Sequence, residues 1–313
     1  MAEPPRRVLV TGGAGFIGRA LTARLVRGGA DVTVLDDLST GDARRLDPAA
    51  RLVEGSVTDA GQVAEAVADA DAIFHLAAIA SVAKCNEDIA ASHRVNLGGF
   101  VNILEAAAAR KVRPALVYAS SAAVYGDNPD APLKESALTR PLSPYGADKL
   151  GCELHAAAAA TVHGVRSTGL RFFNVYGPGQ DPGSPYSGVI SRFHKAATQG
   201  EGVTVFGDGL QTRDFVFVGD VVDALLAAAT QREGEACEVV NVCTGRETTI
   251  LDLAGHLAGL TGRPVPVTHA PARAGDIRRS SGDPARLETR LGLVPSTDLA
   301  AGLKILVEQG AGS

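Results

Sequence analysis

The feature that most constrains this chain is a glycine-rich turn near its start, Thr11-Gly-Gly-Ala-Gly-Phe-Ile-Gly18. It falls between a β-branched run at residues 7–11 and a stretch of helical spacing at 18–28. Glycines in such a turn allow the tight reversal, let the backbone approach a pyrophosphate, and let the helix pack close to the strand. The first turn of that helix then aims unpaired N–H groups at the phosphates. Asp36 follows the second strand-like run, 31–35, at about the 20-residue spacing where a carboxylate accepts hydrogen bonds from the hydroxyls of an adenosine ribose. A carboxylate there repels a 2′-phosphate, so the pattern favours NAD over NADP.

The same alternation continues along the first half. Residues 51–54, 72–76 and 115–119 read as further strands, and 61–68 as an intervening helix. Two longer helices fit 97–110 and 146–163, followed by a buried strand at 165–173. Strand–helix–strand alternation predicts a doubly wound α/β fold, a parallel sheet with helices on both faces. After Asn174 the pattern changes. Residues 176–187 form a Pro/Gly-rich loop, with Pro178, Pro182 and Pro185 among Gly177, Gly179 and Gly183, and shorter segments follow. Residues 239–242 again look like a sheet strand. The expected division is therefore a cofactor domain of residues 1–174 plus about 214–245, and a smaller α/β domain of 175–213 plus 246–313.

Composition excludes several classes. A net charge of −5 gives no support to nucleic-acid binding, which draws most of its affinity from a basic face. No apolar run reaches the roughly 18 residues of a membrane span, and the polar, Pro-containing start predicts no signal peptide. Cys85, Cys152, Cys237 and Cys243 lack CxxC spacing and a partnering His, so they read as reduced thiols of a cytoplasmic protein, with no metal site. The seven histidines are scattered, and His75, at a strand end, reads as a packed structural residue.

Chemistry gathers mid-chain. Tyr145 and Lys149 are four residues apart at the start of a predicted helix, so they project from one face. An ammonium beside a phenol stabilises the phenolate, which makes Tyr145 a general base for a sugar hydroxyl as hydride leaves. Ser120-Ser-Ala-Ala-Val-Tyr-Gly126 lies just past a strand end, where such sheets bind ligands, and Ser121 is placed to bond the substrate hydroxyl or relay its proton.

These motifs resemble those of the extended short-chain dehydrogenase/reductase enzymes that act on nucleotide sugars, most nearly the UDP-hexose 4-epimerases. The resemblance covers nearly the whole chain. Beyond the segments quoted above it includes His75-Leu-Ala-Ala78, Val95-Asn96, Arg171-Phe-Phe-Asn-Val-Tyr-Gly-Pro178, Gly207-Asp-Gly-Leu-Gln-Thr-Arg-Asp214 and Arg273-Ala-Gly-Asp276. It implies a Rossmann-type sheet with a smaller C-terminal domain that holds a UDP-sugar. It also implies an NAD site built from Gly12, Gly15, Phe16, Ile17, Gly18, Asp36, Asp37, Ser39, Gly41, Ser56, Val57, Leu76, Ala77, Ala78, Asn96, Ser120, Tyr145, Lys149, Phe172 and Phe173. Within it Lys149 holds the nicotinamide ribose and Phe173 packs beside the nicotinamide. Ser56 departs from the pattern, because the family usually has Asp near the adenine amino group; a hydroxyl can still accept that bond.

For the substrate the resemblance implies Ser81, Ser121, Ala122, Tyr145 and Val189, with Asn174, Arg213 and Arg273 at the diphosphate. Thr204, Phe206 and Asp276 are implied around the uridine. Two Arg side chains suit a diphosphate through paired, charge-assisted bonds. Ser280, four residues past Asp276, stands where a bulky residue restricts these enzymes to plain hexoses; a small one leaves room for a 2-N-acetyl group.

The reaction is narrowed by what stands beside the site. A 4,6-dehydratase of this family needs an acid pair directly after the catalytic hydroxyl residue, where this chain has Ala122 and Ala123. Uronic-acid epimerases resembling this branch tend to carry Thr and Arg where this chain has Asn174 and Asp181, and an acidic Asp181 disfavours a sugar carboxylate. The expected reaction is C4 epimerisation of UDP-GlcNAc/UDP-GalNAc, UDP-glucose/UDP-galactose, or both. Hydride passes to NAD, the 4-keto sugar turns over, and hydride returns to its other face with no net oxidation. The alternatives are another nucleotide-sugar oxidoreductase or dehydratase of the family, or a non-catalytic NAD-binding protein. The helices at 97–110 and 146–163 resemble those that pair into a four-helix homodimer interface.

Overall fold

The computed structural model describes residues 5–180, 188–231, 234–272 and 277–310. The first six strands are β1 (Arg7–Thr11), β2 (Asp31–Asp36), β3 (Arg51–Glu54), β4 (Ala72–His75), β5 (Ala115–Ser121) and β6 (Ser167–Phe172). Four short strands follow: β7 (Asn174–Tyr176), β8 (Val203–Phe206), β9 (Thr212–Arg213) and β10 (Phe215–Phe217). Then β11 (Cys237–Val242) returns to pair in parallel with β6. Among the described residues the central sheet has seven strands in the order β11-β6-β5-β4-β1-β2-β3, every pair parallel. The order reverses between β1 and β4, and a crevice opens there at the carboxyl ends of the strands.

Central strands are apolar on both faces because helices cover both. Val8 and Val10 face one layer with Leu21 and Leu25 of α1 (Phe16–Arg27). Leu9 faces the other, with Val63 and Val67 of α2 (Ala60–Val67). That second layer is completed by α3 (Val82–Glu87), α4 (Ile89–His93), α5 (Gly99–Ala108) and α6 (Pro144–His163). A helix predicted over residues 97–110 is in fact a π-helical turn, Arg94–Gly98, running into α5.

A separate cluster joins Phe193 of α7 (Val189–Gln199) to Val203 and Val205 of β8 and to Leu253 and Leu257 of α9 (Ile250–Thr261). In this part β8 pairs with β13 (Val267–Ala270), and β9 lies between β12 (Thr248–Thr249) and β14 (Arg279–Ser280). Leu303 of α11 (Leu299–Gly310) closes it. One element departs from the expected division. Between β14 and α11, α10 (Ala285–Leu291) puts Leu287 into the core under the central sheet, beside β11 and α8 (Val218–Thr230). The segment 246–313 therefore does not sit wholly with the smaller cluster.

Candidate active site

The glycine turn is shaped as its composition requires. Gly12 has φ +70°, and a Cβ there would lie 2.6 Å from the Ala77 nitrogen. A Cβ on Gly18 would collide with the Gly12 carbonyl oxygen, so α1 can approach the turn only without a side chain. Gly15 caps α1 without offering a side-chain acceptor, which leaves the N–H groups around Phe16, Ile17 and Gly18 to bind an anion.

Asp36 stands at the end of β2, buried, its Oδ2 accepting from the Ala14 N–H and its Oδ1 from the Leu38 N–H, both at 2.9 Å. Burial raises its pKa above the ordinary carboxylate value, and the two amide donors oppose that rise. The turn after it is tight: Leu38 has φ +55°, Asp37 accepts from the Ser39 N–H and hydroxyl, and Gly41 packs against Ala14 and Asp36.

A cleft of about 460 Å³ opens over this turn. It is lined by Gly12, Gly15, Asp36, Asp37, Ser39, Ser56, Val57, Leu76, Ala77 and Ala78, so half of the cofactor residues expected from sequence meet on one cavity. Lys84, Glu87, Asp88, Ala91 and Val95 form its far wall and were not foreseen. Their signal was positional, because they directly follow β4 at the carboxyl edge of the sheet. Ser56 exchanges a 2.9 Å hydrogen bond with Thr58. Asn96 is not among the residues that line this cleft. Its side chain is fully buried, accepting from the Ile79 N–H at 2.7 Å and donating to the Ile79 carbonyl at 3.3 Å, so it shapes the loop that lines the cleft. Ser120 likewise turns its hydroxyl inward, donating to Glu153 Oε1 at 2.5 Å.

The three residues expected to carry the chemistry stand where β5 meets α6. Ser143 caps α6 by accepting from the Gly146 N–H, and Pro144 opens its first turn. Tyr145 and Lys149 follow on one face. Lys149 is 1% exposed; its ammonium lies 5.8 Å from the centroid of the Tyr145 ring and donates to the Ala119 carbonyl at 2.9 Å. Ser121 ends β5, and its hydroxyl accepts from the Ala123 N–H at 3.1 Å in the short 3₁₀ turn Ala122–Tyr125. Phe172 and Phe173 are buried at the end of β6, Phe173 against Tyr125 with ring centroids 6.4 Å apart. His75 is buried as expected, bonded through Nδ1 to Thr11 Oγ1 at 2.9 Å, and burial lowers its pKa to about 3. Among the described residues no group of acidic, His and Cys side chains could hold a metal, and all four cysteines are free thiols.

The expected substrate residues spread over several elements. Ser81 caps α3, and Val189 opens α7. Asn174 donates its N–H to the Asp214 carbonyl, next in the chain to Arg213. Arg213 on β9 and Ser280 on β14 are register partners in parallel strands. The Arg213 guanidinium reaches the Thr212 and Ile277 carbonyls at 2.8 Å. Thr204 and Phe206 lie on β8. Arg273, Asp276 and Asp181 lie outside the described residues. Glu247, which sequence reasoning missed, binds Thr212, Arg279 and Ser281 and so ties β9 to β14; its hydrogen bond with Arg279 draws its pKa down to about 2.

The profile of the NAD dependent epimerase/dehydratase family matches residues 8–243. The chain belongs to this family. A UDP-glucose 4-epimerase of Mycolicibacterium smegmatis is 39% identical over 310 residues, covering 96% of this chain and 97% of that protein. The crystal structure of a UDP-glucose 4-epimerase from Thermotoga maritima, with UDP-glucose, superposes with TM-score 0.93 at 36% identity, over 98% of this chain and 99% of that one. A UDP-N-acetylglucosamine 4-epimerase from Methanobrevibacter ruminantium M1, in complex with UDP-N-acetylmuramic acid, gives TM-score 0.93 at 32% identity over 99% of both chains. The epimerase/dehydratase site here fits the family's cofactor on its own geometry. The side-chain-free turn before α1 suits a pyrophosphate, and the buried Asp36 carboxylate at the end of β2 suits a ribose.

Proposed function

We propose that this chain is an NAD-dependent UDP-hexose 4-epimerase in which Tyr145 moves the proton of the sugar's 4-hydroxyl. The observation that carries the reading is the juxtaposition of Lys149 with Tyr145 beside the carboxyl end of β5, next to the cleft that Asp36 closes. NAD, when bound, supplies the hydride acceptor and donor at C4. Gly12, Gly15 and the start of α1 hold its pyrophosphate, and Asp36 its adenosine ribose. Lys149 lies close enough to stabilise the Tyr145 phenolate, and Tyr145 takes the 4-hydroxyl proton directly or through Ser121.

Residues 1–174 and about 214–245 serve the cofactor in this reading, and most of 175–213 and 246–313 serve the UDP-sugar. Arg213 and Arg273 bear on the diphosphate, which leaves the hexose free to present either face. Ser280, in register beside Arg213 and half-buried, is a small side chain, which supports acceptance of a 2-N-acetylated hexose, a plain hexose, or both.

The working unit is a homodimer paired through α5 and α6. Supporting this, α6 leaves Leu154 64% and Val162 72% exposed on a face otherwise rich in Ala. A monomer in sedimentation at micromolar protein would refute the pairing. Four free thiols suit a cytoplasmic enzyme, and among the described residues no helix is long and apolar enough to cross a membrane. The functional test is incubation of pure protein with UDP-glucose and with UDP-GlcNAc, resolving the C4 epimers. Epimer formation is expected, whereas stoichiometric NADH without epimer would sink the proposal.

A further inference from the structure

Behind the proposed base lies a buried charge pair that the mechanism above does not use. Glu153 is on α6, one turn beyond Lys149 and two beyond Tyr145; Arg171 is on β6. They are 7% and 5% exposed. The Arg171 fork meets the carboxylate twice, Nε to Oε1 at 2.9 Å and Nη2 to Oε2 at 2.7 Å. A buried ion pair is a poor device for stability alone, because desolvation offsets most of its attraction. Its other contacts give it a different purpose.

Glu153 Oε1 also accepts the Ser120 hydroxyl, which fixes the residue before Ser121. Arg171 Nη1 donates to the Tyr125 hydroxyl at 2.8 Å, and its guanidinium carbon lies 4.7 Å from the Tyr125 ring centroid, which fixes the far end of the turn after Ser121. Tyr125 in turn donates to Asn241 on β11 at 2.7 Å. Ser121 is thus held from both sides by one pair. The same carboxylate fixes the phase of α6, where Lys149 makes a second bridge to β5 at Ala119. A slip of α6 or of the β5 end would change the separation of Tyr145 and Ser121, and misplacement by an ångström costs up to about 10²-fold in rate.

We propose that Glu153 and Arg171 form a positioning pair that sets the Ser121–Tyr145 geometry for proton transfer, an inference that rests on the functional reading above. The test compares wild-type protein with Ser120→Ala, which keeps the ion pair but releases its grip on β5, and with Glu153→Gln. The readouts are Tm, kcat and KM for UDP-glucose at saturating NAD, and the solvent deuterium isotope effect on kcat. Ser120→Ala is expected to fold, to lose kcat on the order of 10-fold with KM within about twofold, and to show an enlarged isotope effect. Glu153→Gln is expected to lose at least as much kcat; should it fail to fold, Ser120→Ala alone decides. A Ser120→Ala enzyme with wild-type kcat and isotope effect overturns the inference. Absence of epimerisation by the wild-type chain overturns the functional reading and the inference with it, so the two failures are distinguishable.

Discussion

The Lys149 ammonium lies 5.8 Å from the Tyr145 ring centroid while donating to the carbonyl of Ala119, so the helix that carries the proposed base is tied to the strand that ends in Ser121. That relation orders the chemistry. It puts a fixed positive charge beside the phenol and leaves the hydroxyl of Ser121 at the strand end.

Removing the phenolic hydroxyl tests the assigned base. Tyr145→Phe is expected to lower kcat by roughly 10²-fold or more, with KM for UDP-glucose little changed because the diphosphate anchors remain. Full turnover in a steady-state assay would show that the proton leaves by another group.

Asp36 is expected to hold the cofactor by charge-assisted bonds worth about 1.5–3 kcal/mol. Asp36→Ala should therefore raise the Kd for NAD by roughly 10-fold or more and narrow the preference over NADP. Its two backbone partners, Ala14 and Leu38, also lose their acceptor, so the turn loosens as well. Calorimetric titration with NAD and NADP is the check, and an unchanged Kd contradicts the assignment.

Arg213 and its register partner Ser280 carry, in the proposed reading, anchoring and selectivity respectively. Arg213→Ala should raise KM for any UDP-sugar by roughly 10-fold or more, with a smaller change in kcat. Ser280→Tyr should fill the space beside it, cutting kcat/KM for UDP-GlcNAc at least about tenfold more than for UDP-glucose. Equal losses on both substrates would detach Ser280 from the 2-position.

His75 gives the fold an acid sensitivity. Folded, burial holds its pKa near 3, while the unfolded residue titrates near 6.5. The neutral form is therefore no handicap above pH 6.5, and stability is lost as pH falls below that value, because only the unfolded chain takes up the proton. Between pH 6.5 and 5 the loss from this residue is about 2 kcal/mol. Urea melts of wild type and His75→Asn across that range should show the variant losing less; parallel losses would assign the acid sensitivity elsewhere.

Much of this architecture was readable because its strands are buried on both faces. Val8, Leu9 and Val10 leave a continuous apolar signature, and the glycine turn with Asp36 marks the switch point beside β1. Even the return of β11 to the sheet was visible in Val239–Val242. The cleft's far wall was not, because α3 and α4 are short, polar and mostly exposed, carrying no hydrophobic period. Strands of two residues such as β9 and β12 have no period at all. The inward turns of Asn96 and Ser120 were hidden for a different reason. Their partners, Ile79 and Glu153, are set by tertiary packing, and local sequence names only the residue type.

The central claim is that hydride leaves C4 of the sugar and returns to the same carbon within one closed site. Turnover of UDP-glucose deuterated at C4 tests it most directly, with the product's isotopic content read by mass spectrometry and NMR. The account predicts UDP-galactose that keeps the deuterium at C4 in full, without net NADH. Loss of the label to solvent, or a product oxidised at C4, would contradict it.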